Sequence, residues 1–229
     1  MNATSTATTP HKSGAPAEKP RLRGVSHQYA FFAFIVAAIG LVTATQVPTA
    51  RLAALVYGCS VAALFGTSAL YHRTTWGPRA RRWMRRLDHA MIFVLIAGTY
   101  TPICLLALPT DFGLQVLRVV WIAAGIGIVI KISWIQSPYW FTAGLYVALG
   151  WVAVVTIPDL LTTIGLFATA LIGVGGLLYT AGALIYVVRR PNPLPTVFGY
   201  HEIFHALVIV AAALHFVVIS TYILPLANT

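Results

Sequence analysis

Tyr200-His-Glu-Ile-Phe-His-Ala-Leu-Val-Ile-Val-Ala-Ala-Ala-Leu-His-Phe-Val-Val-Ile-Ser-Thr-Tyr-Ile-Leu224 is the stretch on which the reading of this chain turns. It is long enough and apolar enough to cross a bilayer as one helix, which takes about 20 residues. Yet it opens on two histidines. His201 and His205 are four apart, so they lie one above the other on a single helix face, spaced to share one metal ion. Polar groups beside lipid are costly and need partners or a purpose.

Working outward, the same kind of run recurs. Of 229 residues, 59% are hydrophobic and only 9% charged, with a mean hydropathy of +0.82. No soluble domain of this size hides so much apolar surface, so the chain is an all-α membrane protein. Seven runs are long enough to be spans: residues 28–45, 51–72, 88–108, 114–132, 139–157, 160–188 and 200–224. Pro48, Gly77-Pro78, Pro109, Ser137-Pro138, Pro158 and Pro191-Asn192-Pro193 separate them. The sixth run exceeds what a bilayer requires, so it is tilted or starts late. Residues 1–27 are too poor in large apolar groups to fold and read as a disordered cytoplasmic tail, with His11 and His27 solvated. Residues 28–224 form the seven-helix domain, and 225–229 a short outer tail. Cys59 and Cys104 fall inside apolar runs and read as small buried side chains.

The net charge of +10 does not point to nucleic acid, because the basic residues sit between apolar runs. With the N-terminus cytoplasmic, the inner segments hold Lys12, Lys19, Arg21, Arg23, Arg73, Arg79, Arg81, Arg82, Arg85, Arg86, Lys131, Arg189 and Arg190. Only Arg51 and Arg118 of the 15 lie outside. This is a strong positive-inside signal and leaves the C-terminus outside. The expected location is the cell membrane, with membrane lipids as partners.

That orientation fixes depth. His72 ends the second run, Asp88 and His89 begin the third, and His201 and His205 begin the seventh. All five converge near the cytoplasmic ends of three helices. Three neutral imidazoles suit zinc, and a catalytic zinc commonly keeps three protein ligands and a water. His72, His201 and His205 supply such a set, with Asp88 placed to orient or deprotonate the water. His89 competes as third ligand, although it points about 100° away from Asp88 on the same helix. Ser68 lies one turn before His72 on the same face, positioned to hydrogen-bond a ligand, a water or a substrate carbonyl. His215 is about 15 Å deeper than His205 by helical rise and cannot share the ion. It reads as a histidine bonded to a neighbouring helix. A hydrogen-bonded polar cluster without metal is the alternative for the whole set.

His201-Glu202-Ile203-Phe204-His205 is also literally H-E-x-x-H, the zinc-protease signature in which Glu is the general base. Glu202 reads equally as an acidic residue favoured in the first turn of its helix.

The ordered set Ser68-Ala-Leu-Tyr-His72, Leu87-Asp88-His89 and His201-Glu-Ile-Phe-His205 resembles the haemolysin-III-like proteins, the bacterial branch of the progestin and adiponectin receptor family. The resemblance spans residues 28–224. It implies seven helices, a cytoplasmic N-terminus, and zinc on His72, His201 and His205, with Asp88 acting through a water and Ser68 nearby. It further implies kinship with alkaline ceramidases, which hydrolyse lipid amides. Three functions are therefore expected candidates: a zinc-dependent intramembrane hydrolase of a lipid amide or ester with Asp88 and Ser68 catalytic, a non-enzymatic membrane-active or sensor protein with structural zinc, and an intramembrane protease using Glu202.

Overall fold

The computed structural model describes residues 20–134 and 136–228. Among the described residues, seven helices are long and apolar enough to cross a membrane: α1 Val25–Ala44, α2 Pro48–Arg73, α3 Pro78–Leu106, α4 Thr110–Ser133, α5 Tyr139–Thr163, α6 Gly165–Val188 and α7 Tyr200–Asn228. The chain is a seven-span, all-α membrane protein. Consecutive helices pack as antiparallel neighbours, and α7 returns to α1 to close the ring. The central helices are α2 and α3. Tyr57, Val61, Leu64 and Phe65 on one, and Phe93, Ala97, Tyr100 and Cys104 on the other, recur at helical spacing and are buried. The outward stripes are equally periodic and equally apolar. On α4 they are Val119, Ile122, Ile126 and Val129, all exposed. A helix apolar all round suits a lipid surround, since the outside needs no polar face.

Several boundaries differ from the sequence expectation. The basic stretch from Pro78 continues into α3 as one helix, so Asp88 lies three turns inside it rather than at its start. Pro158 does not separate the fifth and sixth spans. It sits in the first turn of the last helical segment of α5, where its missing N–H costs nothing. The break comes at Gly165, whose φ of 80° only glycine adopts freely. The sixth span thus starts late. Residues 224–228 continue α7 as a tight turn instead of forming a tail. Cys59 is exposed on the outer face, against the buried reading, while Cys104 is buried.

One irregularity prepares a cavity. In α5, Trp151–Thr156 tightens to a 3-10 turn, which disturbs the regular carbonyl pairing. Tyr100 of α3 donates its O–H to the carbonyls of Leu149 (3.3 Å) and Gly150 (2.7 Å). Backbone groups in a hydrocarbon surround must be satisfied internally, and this phenol satisfies them. By contrast, α2 and α3 approach closely, and a Cβ at Gly98 would collide with the Ser60 hydroxyl.

Gly98→Val is therefore expected to destabilise the bundle by about 1–3 kcal/mol through overpacking. Gly125→Val, which faces open space, should be near neutral. Thermal unfolding of the two purified variants in one detergent checks the contrast.

Candidate metal centre

Four helix segments meet at one end of the bundle. His72 occupies the last turn of α2. His201 and His205 occupy the first two turns of α7. Their ligand nitrogens lie within 4.8 Å of one another. The Nε2 atoms of His72 and His201 are 3.2 Å apart, and the ring centroids of His201 and His205 are 4.6 Å apart. His72 and His205 are buried and His201 is half-buried. Asp88 Oδ2 lies 3.9 Å from His72 Nε2. Three imidazoles with a carboxylate beside them form a nitrogen-rich pocket that can hold a metal ion.

Ser68, one turn below His72 on the same face of α2, is 3% exposed. It neighbours the Asp88 carboxylate and forms a 2.8 Å hydrogen bond with Nδ1 of His27. His27 is the residue the sequence reading missed. Far from solvated, it is 2% exposed in the first turn of α1. Its ring stacks on His205, with centroids 3.7 Å apart and planes 13° from parallel. The signal was available: His27 heads an apolar run at the same inner end that singled out His72. The composition of the preceding tail obscured it.

The segment before α1 is held over the site. Arg21 and Leu22 N–H groups donate to the carbonyls of Thr196 and Val197, at 3.0 and 3.2 Å. Gly24 then turns with φ 78°, its Cα pressed against His72 so that no Cβ fits. This carries Arg23 onto Glu202. The tail expected over residues 1–27 therefore holds defined structure from residue 20 onward; its first 19 residues lie outside the described ones, His11 among them.

Glu202 is 2% exposed and pairs with Arg23 Nε. Its other oxygen accepts the Gly199 backbone N–H at 2.8 Å, satisfying an open donor at the start of α7. The carboxylate of the H-E-x-x-H motif thus caps its own helix and neutralises an arginine. His89 is not among the three grouped ligands. Its carbonyl accepts the Tyr146 hydroxyl at 2.9 Å. His215 Nε2 donates to the Ile172 carbonyl of α6 at 3.2 Å, as expected of a histidine bonded to its neighbour.

The cluster stands at the head of a long cavity between α3, α5, α6 and α7. Its polar end includes His27, Ser68, Asp88, His201 and His205, and on α3 the lining continues from Asp88 to Ile103. Those 15 residues correspond to about 22 Å of helix at 1.5 Å per residue. Apolar side chains dominate the remainder, Ile92, Ile96, Val147 and Val208 among them. The hydrocarbon of one leaflet is about 15 Å deep, so the cavity has the length of an extended acyl chain.

The sequence profile described as Haemolysin-III related matches residues 16–216. "Hemolysin-3" of Bacillus cereus is 32% identical over 180 residues, 79% of each chain. "Hemolysin-3 homolog" of Bacillus subtilis (strain 168) is 30% identical over 167 residues, 73% of this chain and 75% of the relative. A seven-helix membrane bundle with this match across most of its length belongs to the haemolysin-III-related family.

Proposed function

We propose that the protein is a zinc-dependent intramembrane hydrolase of a lipid amide or ester. The observation that carries the reading is the position of the three-histidine cluster, with Asp88 and Ser68, at the head of an acyl-length apolar cavity. His72, His201 and His205 would hold the ion. The donor set supports zinc, since neutral imidazoles suit it. The 3.2 Å separation of the His72 and His201 nitrogens is close to the ~3.4 Å edge of a tetrahedron with ~2.0–2.1 Å bonds. When bound, zinc supplies a Lewis acid and brings the pKa of a water toward ~7.

The chain's own groups do the rest. Asp88 accepts the proton of the attacking water and returns it to the departing amine or alcohol. With its proton on Nδ1, His27 donates to Ser68 Oγ, and the serine hydroxyl donates in turn to the Asp88 carboxylate, from which it swings to the substrate carbonyl oxygen once Asp88 takes up the proton of the water. The cavity holds the acyl chain and excludes bulk water from the carboxyl end. Glu202 is committed to Arg23 and Gly199, which favours Asp88 over Glu202 as base and so the lipid over the peptide bond.

We place the site at the cytoplasmic face of the cell membrane. The support is charge: Arg21, Arg23, Arg73, the run from Arg79 to Arg86, Arg189 and Arg190 crowd the site's end of the bundle.

Metal analysis of purified protein is expected to find about one zinc per chain, as a three-ligand site requires. His205→Ala should reduce this to a small fraction, whereas His89→Ala should retain it. Equal loss in both would make His89 a ligand. With long-chain N-acyl amides and acyl esters as substrates, Asp88→Asn is expected to lower kcat about 10²–10⁴-fold. Ser68→Ala should lower it about 10²–10³-fold. Glu202→Gln should act mainly on thermal stability, by about 1–3 kcal/mol, because it leaves Arg23 without its charge partner. Unchanged turnover in Asp88→Asn would sink the hydrolase mechanism, and loss confined to Glu202→Gln would favour a protease.

A further inference from the structure

Lys131 sits in the last turn of α4, where a cation is favoured by the helix dipole. A lysine near the end of a spanning helix ordinarily extends outward to water. Lys131 does the opposite. It is 4% exposed and lines the same cavity as the histidine cluster, on the side of α4 and α5. Its Nζ donates to Ser137 Oγ at 3.1 Å and to Thr142 Oγ1 at 3.3 Å. The two hydroxyls are 2.9 Å from each other, so the three groups form a closed triangle. An ammonium carries three donors, and two are used here.

The hydroxyls satisfy hydrogen bonds but not charge. Among the described residues the ion pairs are Arg23 with Glu202 and His72 with Asp88, and no carboxylate pairs with Lys131. Arg85 adds a second positive charge nearby. A buried, unneutralised cation is costly. It is also preorganised for an anion, since a third N–H can form a charge-assisted bond while the contacts to Ser137 and Thr142 are kept. Lys131 lines the cavity together with His89, His201 and His205, so the lysine and the histidine cluster face one space.

We propose that Lys131, with Ser137 and Thr142, binds the carboxylate or phosphate of an amphiphile whose acyl chain fills the cavity. The inference rests on the cavity being an acyl-chain site. It narrows the substrate to an acyl amide or ester whose leaving portion carries an acidic group, with the scissile carbonyl at the histidine cluster and the acid at Lys131.

The test uses full-length protein in detergent micelles. Displacement of a neutral fluorescent fatty alcohol is measured with N-oleoylglycine, oleoyl lysophosphatidate and the neutral N-oleoylethanolamine. Wild type should bind at least one acid about tenfold or more tightly than the neutral amide, the worth of a charge-assisted bond. Lys131→Met should abolish that preference while binding the neutral amide as wild type does, which also shows that the variant is folded. Thr142→Val should weaken the preference several-fold. The acid with the larger loss identifies the headgroup. Preference that survives in Lys131→Met overturns the proposal. Preference that disappears when wild type is stripped with a chelator assigns the acid to the metal instead, and overturns it too. Competition by inorganic phosphate equal to that of the lipids would show a free-anion site and overturn the lipid assignment. Equal binding of all three amphiphiles removes the lysine site alone, whereas binding of none removes the acyl-chain cavity on which it rests.

Discussion

Three imidazoles held with their ligand nitrogens within 4.8 Å of one another, at the end of a bundle built almost wholly from apolar side chains, impose the constraint that the rest of the structure serves. Ring nitrogens that close present lone pairs to one another unless a proton or a cation sits between them. The surrounding elements are arranged to keep them there. Phe65 packs edge-on against His27, whose ring lies flat on His205. Gly24 turns the chain tightly over His72, and Arg23 draws the lead-in segment onto Glu202 at the start of α7. Each of these contacts joins segments far apart in sequence, so α1, α2 and α7 are fastened at the site rather than only along their lengths.

The cavity follows from a second departure from regularity. A regular α5 would leave no call for Tyr100 to reach the carbonyls of Leu149 and Gly150. Because α5 tightens there and packs only sparsely against α3 and α4, space remains along its length. That space joins the polar mouth to an apolar interior, the combination an amphiphile requires: a reacting carbonyl near groups that can polarise it, and a chain removed from water. Lys131 gives the cavity an asymmetry, with nitrogen ligands on the side of α2 and α7 and a cation on the side of α4 and α5.

Much of this was legible in the sequence, for identifiable reasons. Spans in a membrane protein depend on local composition, so seven runs became seven helices. His72, His201 and His205 could be grouped because helix phase and charge asymmetry place them at one depth. The failures share a cause: composition reports what a segment is made of, not what it packs against. His27 looked like the end of a polar tail because its partners, Ser68 and His205, are 41 and 178 positions away. The polar start of α3 was invisible to a count of apolar residues, although Arg and Met are good helix formers. Pro158 was read as a breaker when its place in a first turn made it harmless, and the stop came from a glycine with positive φ. Lys131 was counted as one more topology charge, since nothing local tells an inward lysine from an outward one.

The account depends most on the histidine cluster being a metal centre of stated composition. X-ray absorption at the zinc edge of the purified protein measures this directly. The account predicts three imidazole nitrogens at about 2.0–2.1 Å with one lighter oxygen ligand completing the shell. A shell containing sulfur at about 2.3 Å, or one built mainly from oxygen without imidazole scattering, would contradict it.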